Sequence, residues 1–246
     1  MSTLLSIVSD LCGRQNLPVP TTVYGTTDPQ VRQMAKLLEE EGNDLAMRHP
    51  WECLIREAFH TTIAAEDQGA IDTIAVPVGA SSSDGFRSIV NQTIWDRTTR
   101  LPVCGPMNPQ QWQAMKAVTT SGPKYRFRIR GGKLLVNPTP PAGESWYFEY
   151  ITKFWILGAN GTTYKNRFTL DTDVILLPDD LVLQGLRWRW KKEKGMDYAE
   201  DFRTYETQVK DQASKDGGKP VLRMDMAGWG GPQPGIFIPD GSWNVP

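Results

Sequence analysis

Leu4, Leu5, Ile7, Val8, Leu11 and Cys12 recur at helical spacing, and Asn16 and Pro18 stop the pattern, which predicts a helix over 4–16. A loop built on Pro18, Pro20 and Gly25 follows. Asp28-Pro29 then offers an N-cap with proline at the first helical position. In the helix this opens, Val31, Met34, Leu37, Leu38, Leu45 and Met47 fall on one face, and Glu39, Glu40 and Glu41 are expected to face water. Pro50 ends it and Trp51 follows. Gly42 reads as a weak point, costing about 1 kcal/mol against alanine in an exposed helix interior.

Beyond Glu52 the period changes from 3.6 to 2. Candidate strands are Cys53–Thr62, Ile71–Val76, Ser88–Trp95, Tyr125–Ile129, Leu134–Val136 and Trp146–Ile156, with one short helix over Asn108–Ala117. Lys124, Arg126, Arg128 and Arg130 alternate with Tyr125, Phe127 and Ile129, and Gly131-Gly132 is a two-residue hairpin turn. In the segment from Trp146 to Trp155 both faces are apolar: Trp146, Phe148, Tyr150 and Phe154 on one, Tyr147, Ile151 and Trp155 on the other. Such a strand needs cover on both sides. After Leu177-Pro178 the helical period returns. Asp179 or Asp180 can cap a helix carrying Val182, Leu186 and Trp190, Gly195 is a stop, and Asp197-Tyr198-Ala199-Glu200 resembles a capping box. One helix bent at Gly195 fits the same residues.

Residues 215–246 contain seven Gly and five Pro, too many for a long regular element. Yet Val221, Leu222, Met224, Met226, Trp229, Ile236, Phe237 and Trp243 sit among them, more apolar content than a solvating tail carries. This pattern predicts an extended arm that buries its aromatics on another surface. Across all 246 residues, 27 Lys and Arg balance 28 Asp and Glu, which argues against a generic polyanion binder. No run of 18 apolar residues exists, so no membrane anchor is expected. Cys12, Cys53 and Cys104 are odd in number and far apart, and read as reduced thiols.

Chemistry-bearing motifs are scarce. His49 and His60 are the two histidines, and Cys53 with His60 lacks two further metal ligands. Gly79-Ala80-Ser81-Ser82-Ser83 has serine where a nucleophile elbow needs its second glycine, and Gly228-Trp229-Gly230-Gly231 opens no helix after a strand. No catalytic, cofactor or metal residue is assigned. Asp171, Asp173, Asp179 and Asp180 could supply the carboxyl pair of a glycan-cleaving enzyme, but loop and cap positions account for them. The basic stretches are stronger. Strand 124–130 aligns Arg126, Arg128 and Arg130, and helix 187–192 interleaves Arg187 and Arg189 with tryptophan. Either could track phosphates; the plainer reading is a solvated strand face and a helix C-terminus that suits cations.

The order of features resembles the head-to-tail adaptor proteins of tailed bacteriophages, the short-tail connectors of the tail-tubular-A type. The likeness is carried by Val31, Leu37, Leu38, Leu45 and Trp51, then the run from Asp171 to Pro178, then Leu186 through Trp190, Gly195, Tyr198 and Phe202. It covers about residues 3–214. Where relatives close the second helix with Gly-Trp, this chain has His49-Pro50-Trp51. The resemblance implies a structural virion protein, not an enzyme, assembled in the host cytoplasm and sited at the portal–tail junction. It implies a homo-oligomeric ring, a dodecamer, that joins the portal protein to the tail nozzle protein and leaves a channel for genomic DNA. Its portal contacts are then expected from Val221, Leu222, Met224, Trp229, Ile236, Phe237 and Trp243, and its DNA or neighbour contacts from Arg126, Arg128, Arg130, Arg187 and Arg189. The alternative is a nucleic-acid-binding protein using the basic strand and helix.

The expected fold is α+β. Residues 1–51 and 178–214 form a helical bundle, 52–177 an inserted antiparallel sandwich or barrel-like domain, and 215–246 the arm.

Overall fold

The computed structural model describes residues 2–78, 83, 85–90, 92–117 and 124–217. It is an α+β structure in which every strand ladder is antiparallel. Two compact units divide the chain, Met1–Asp216 and Gly217–Pro246. The arm residues Val221, Leu222, Met224, Trp229, Ile236, Phe237 and Trp243 lie outside the described residues, as do residues 79–82 and 228–231 of the two glycine motifs.

Helix α1 (Leu4–Arg14) opens with a reciprocal cap: Ser6 N–H donates to Thr3 Oγ1, and Thr3 N–H to Ser6 Oγ. Helix α2 (Pro29–Arg48) starts where Asp28 Oδ1 accepts from Gln30 N–H at 2.8 Å. Its last carbonyls, on Ala46 and Met47, accept from the Arg87 guanidinium, each at 2.6 Å, so a β-region cation both satisfies orphan acceptors and faces the negative end of the helix. Helices α5 (Asp179–Glu193) and α6 (Ala199–Lys215) are separate, broken at Gly195, whose φ of +69° suits glycine. Neither starts as expected. Pro178 precedes α5 with no side-chain cap, since Asp179 Oδ1 accepts from Ser2 N–H at 3.0 Å instead. Ahead of α6, Asp197 accepts from Ala199 N–H and no reciprocal bond from Glu200 forms.

These four helices share one core with Trp51, Ile151, Trp155, Ile156, Phe168 and Leu177. Trp51 turns back so that its Nε1–H donates to Leu45 O at 2.8 Å. Gly42 is buried, not exposed: a Cβ placed there would lie 2.2 Å from the Trp155 ring.

Among the described residues, the strands between form three sheets. The first contains β1 (Ile55–Thr61), β8 (Ser145–Thr152), β4 (Trp95–Asp96) and β5 (Leu101–Pro102) in that order, with β3 (Phe86–Ile89) also on β8. The second is β2 (Asp67–Ala70), β7 (Lys133–Asn137) and β6 (Arg126–Arg130); β6 and β7 turn at Gly131-Gly132, with φ of +60° and +73°. The third, β10 (Tyr164–Lys165), β9 (Ile156–Leu157) and β11 (Val174–Ile175), is bridged to the N-terminal segment by Thr3 opposite Val174. Helix α4 (Pro109–Ala117) begins where Asn108 Oδ1 accepts from Gln111 N–H.

Two expected strands are corrected. Ile71–Ile74 is a single helical turn, α3, whose spacing of three buries both isoleucines. The run Ser88–Trp95 breaks between β3 and β4, where Gln92 takes a φ of +65° and Thr93 Oγ1 donates to Val90 O and accepts from Glu149 N–H. The stretch from Trp146 to Trp155 is not covered on both sides along its whole length: Trp146, Phe148 and Tyr150 enter a second core of the β region and Ile151 and Trp155 the helical one, but Tyr147 is half-buried on the opposite face beside the exposed Glu149. Phe154 lies beyond the end of β8 and is half-buried.

Candidate interaction surfaces

Of the four candidate carboxylates, Asp171, Asp173 and Asp179 hold local structure. Asp171 Oδ1 accepts from Val23 N–H and Tyr24 N–H at 3.0 and 2.6 Å, pinning the 17–27 loop. Asp173 is fully buried, bonded to Lys165 Nζ at 2.7 Å and to the N–H groups of Thr169 and Leu170. Burial opposes its charge, yet these partners hold its carboxyl below the usual range. Asp180 is exposed. His60 Nε2 meets Gln68 Oε1 at 3.3 Å, and burial lowers the pKa of its ring. Burial also pushes the half-buried Cys53 thiol up to about 11. Among the described residues no group of three or more His, Cys, Asp or Glu could hold a metal ion. A cleft of ≈ 570 Å³ between the 23–26 loop and α2 is walled by Tyr24, Arg32 and Phe168; its carboxylate, Glu39, is paired with Lys36.

Three of the basic residues of α5, Arg187, Arg189 and Lys191, pair with carboxylates of α2 and α6. Arg189, with 11% of its side chain exposed, donates through Nε to Glu41, through Nη1 to Glu40 and, at 3.0 Å, through Nη2 to Asp44. Arg187 pairs with Asp201 at 3.2 Å, and Lys191 with the same carboxylate. Lys192 and Lys194 lie over the rings of Trp188 and Trp190. This helix therefore turns much of its positive charge to α2 and α6.

At the centre of that network is Glu41, expected in water and found with no exposure at all. Tyr205 Oη–H donates to its Oε1 and Arg189 to its Oε2, while Gly185 leaves the space its carboxyl occupies. Burial raises the Glu41 carboxyl above its usual range, with the Arg189 and Tyr205 hydrogen bonds acting the other way. The sequence held a signal for this: Met34, Leu38, Glu41 and Leu45 fall at spacings of four, three and four, on the apolar stripe.

A further buried acid, Glu144, sits in the β region. It accepts from Tyr125 Oη–H at 3.1 Å and Trp146 Nε1–H at 3.3 Å, and its carboxyl faces that of the equally buried Asp96 within hydrogen-bonding reach. Asp96 accepts from Thr98 N–H at 2.8 Å and from Thr99 Oγ1–H. Burial first, and then the Asp96 charge, raise the Glu144 carboxyl, and burial with the Glu144 charge takes the Tyr125 phenol up to about 12. A raised folded-state pKa favours the folded protein below the ordinary glutamate range, and that contribution is lost as pH rises through the folded value. Glu144→Gln, whose amide can donate to Asp96 without titrating, is expected to flatten the fall in melting temperature above about pH 4.3, the ordinary glutamate value. Melting scans across pH that superimpose for wild type and variant would refute this role for Glu144.

The strand arginines behave differently from those of α5. Arg126 and Arg130 are exposed and Arg128 is half-buried; Arg126 Nη1 reaches Met115 Sδ on α4 at 3.5 Å. Among the described residues none of the three, nor Lys124, has a carboxylate partner. Among the described residues, too, no helix is long and apolar enough to cross a membrane. Compared with known protein families and with curated proteins, the chain matches none.

Proposed function

We propose that this protein is a head-to-tail adaptor of a tailed phage: a ring-forming structural subunit that binds the portal on one side and the tail nozzle on the other, around a channel for the genome. The observation that carries the reading is chain order. Helices from the two ends of the described chain, α1 and α2 with α5 and α6, share one core, and the strands are inserted between them. In this reading the helices are a bundle, residues 52–177 are an inserted sandwich, and 215–246 is the arm that grips the portal. The inward pairing of Arg189 and Arg187 favours an architectural use of α5 over phosphate binding. No catalytic step is assigned.

The test is truncation. Met1–Asp216 is a compact unit by itself, so deletion of Lys219–Pro246 is expected to leave far-ultraviolet dichroism intact and to abolish capture by immobilised portal protein. Undiminished capture would remove the arm from the mechanism. Particle images of the full chain mixed with portal should show radial symmetry.

A further inference from the structure

The β region presents two outward faces of complementary chemistry. Ala58, Phe148 and Tyr150 of the β1–β8 pair meet Phe127, Leu134 and Val136 of the β6–β7 pair in one core. Successive side chains on a strand point to opposite faces, so the residues between these point outward, and those of the two sheets point away from each other.

On the first outward face Phe59 is 41% exposed and packs at a tilt against Tyr147, with ring centroids 5.0 Å apart. Glu57 and Glu149 stand directly opposite across the strands, where like charges repel. Arg97 pairs with Glu57 and lies 3.5 Å over the Tyr147 ring. Glu149, exposed, has no cationic partner among the described residues. On the second face Lys124, Arg126, Arg128 and Arg130 line up at every other position, about 7 Å apart, without carboxylates of their own among the described residues. The first face is aromatic, with Glu149 as its unpaired carboxylate among the described residues; the second is a row of cations beside the Lys133–Asp67 pair, touched by Met115 of α4 at Arg126.

We propose that these two faces meet between neighbouring copies, the arginine strand of one lying on the Glu57–Phe59–Tyr147–Glu149 face of the next. The inference rests on the ring reading above and names the surfaces that would close the ring. A head-to-tail contact needs two different patches on one subunit, and patches that point apart let each copy pass the contact on. Arginine suits the task, since its guanidinium forks onto a carboxylate and stacks on a phenol or phenyl ring. Complementarity favours a second copy over DNA: a duplex would answer the cations but leave Glu149 and the exposed rings uncovered, whereas one contact repeated around a ring engages both faces of every copy.

The experiment uses the full chain, alone and with portal protein, in sedimentation velocity and particle imaging. Arg126→Glu with Arg130→Glu, and separately Glu149→Arg, are each expected to weaken self-association by about tenfold or more, because like charges then oppose each other across the contact. Combining the reversals should recover much of the loss, which a misfolded variant could not do. Arg126→Gln with Arg130→Gln, checked for native dichroism, should weaken association in the same direction but less. Rings that form as in wild type when either face is reversed overturn the interface alone. A wild-type chain that stays monomeric at every concentration, with and without portal, overturns the ring reading and the interface together. Loss of duplex DNA binding in the arginine variants with assembly unchanged overturns the interface and gives the strand to nucleic acid.

Discussion

Arg189→Met is expected to cost about 3–5 kcal/mol, because it leaves the carboxylate of Glu41 buried without its cation. Glu41 has no exposed surface, and its remaining donor would be the Tyr205 hydroxyl. Denaturant unfolding followed by tryptophan fluorescence measures the loss directly. The pH dependence gives it a signature. Burial already raises the Glu41 carboxyl, and removing Arg189 takes away the hydrogen bond and the charge that lower it. The variant's carboxyl should therefore titrate higher still. Its stability defect should be smallest below about pH 4.3, where glutamate is neutral even when unfolded, and should grow as pH rises. Replacing the whole set with apolar groups, Arg189→Met with Glu41→Leu and Tyr205→Phe, should recover most of the loss, since no charge is then stranded. A single-variant cost below about 1 kcal/mol, the range of exposed ion pairs, would mean that water reaches the site.

Trp155→Ala should be as damaging, at about 3–5 kcal/mol, the range for emptying a buried aromatic site. Trp155 is fully buried, its ring 5.4 Å from that of Phe168 and its Nε1–H donating to Asn43 Oδ1 at 2.9 Å. The same ring determines the outcome at Gly42. By helix propensity Gly42→Ala should gain about 1 kcal/mol. With the new Cβ 2.2 Å from the indole, overpacking should turn that gain into a loss of about 1–3 kcal/mol. In a Trp155→Ala background the obstruction is gone, and Gly42→Ala should stabilise. A double-mutant cycle reads this reversal of sign; Gly42→Ala that stabilises the wild-type background would show that the helix and the indole are not in contact.

Both sites show what could be read from the chain and what could not. The helices that form the first core follow from 3.6-residue periodicity, and Gly195 and Gly131-Gly132 act where their spacing puts them, because these are local effects of backbone and burial. Glu41 was misplaced for another reason: position put it on the buried stripe, residue type put it in water, and its partners Arg189 and Tyr205 are about 150 residues away. Gly42 failed in the same way, since the ring that fills its missing side chain comes from position 155. Asp96 and Glu144 are brought together by the pairing of β4 with β8, which no short motif announces. Ile71–Ile74 is a case of intrinsic ambiguity, four residues rich in β-branched side chains being too short for period to separate a helical turn from a strand. Of the candidate contacts, the strand arginines were legible as a surface row because alternation is local, whereas the pairing of Arg187 and Arg189 depends on α2 and α6.

Strand β8 joins the two cores by a continuous peptide backbone: it enters one with Trp146, Phe148 and Tyr150 and feeds the other with Ile151 and, just past its end, Trp155. Tension on the helices therefore reaches the sheets through a strand whose own side chains are buried in both cores. A strand anchored at both ends in this way couples the loosening of one core to that of the other.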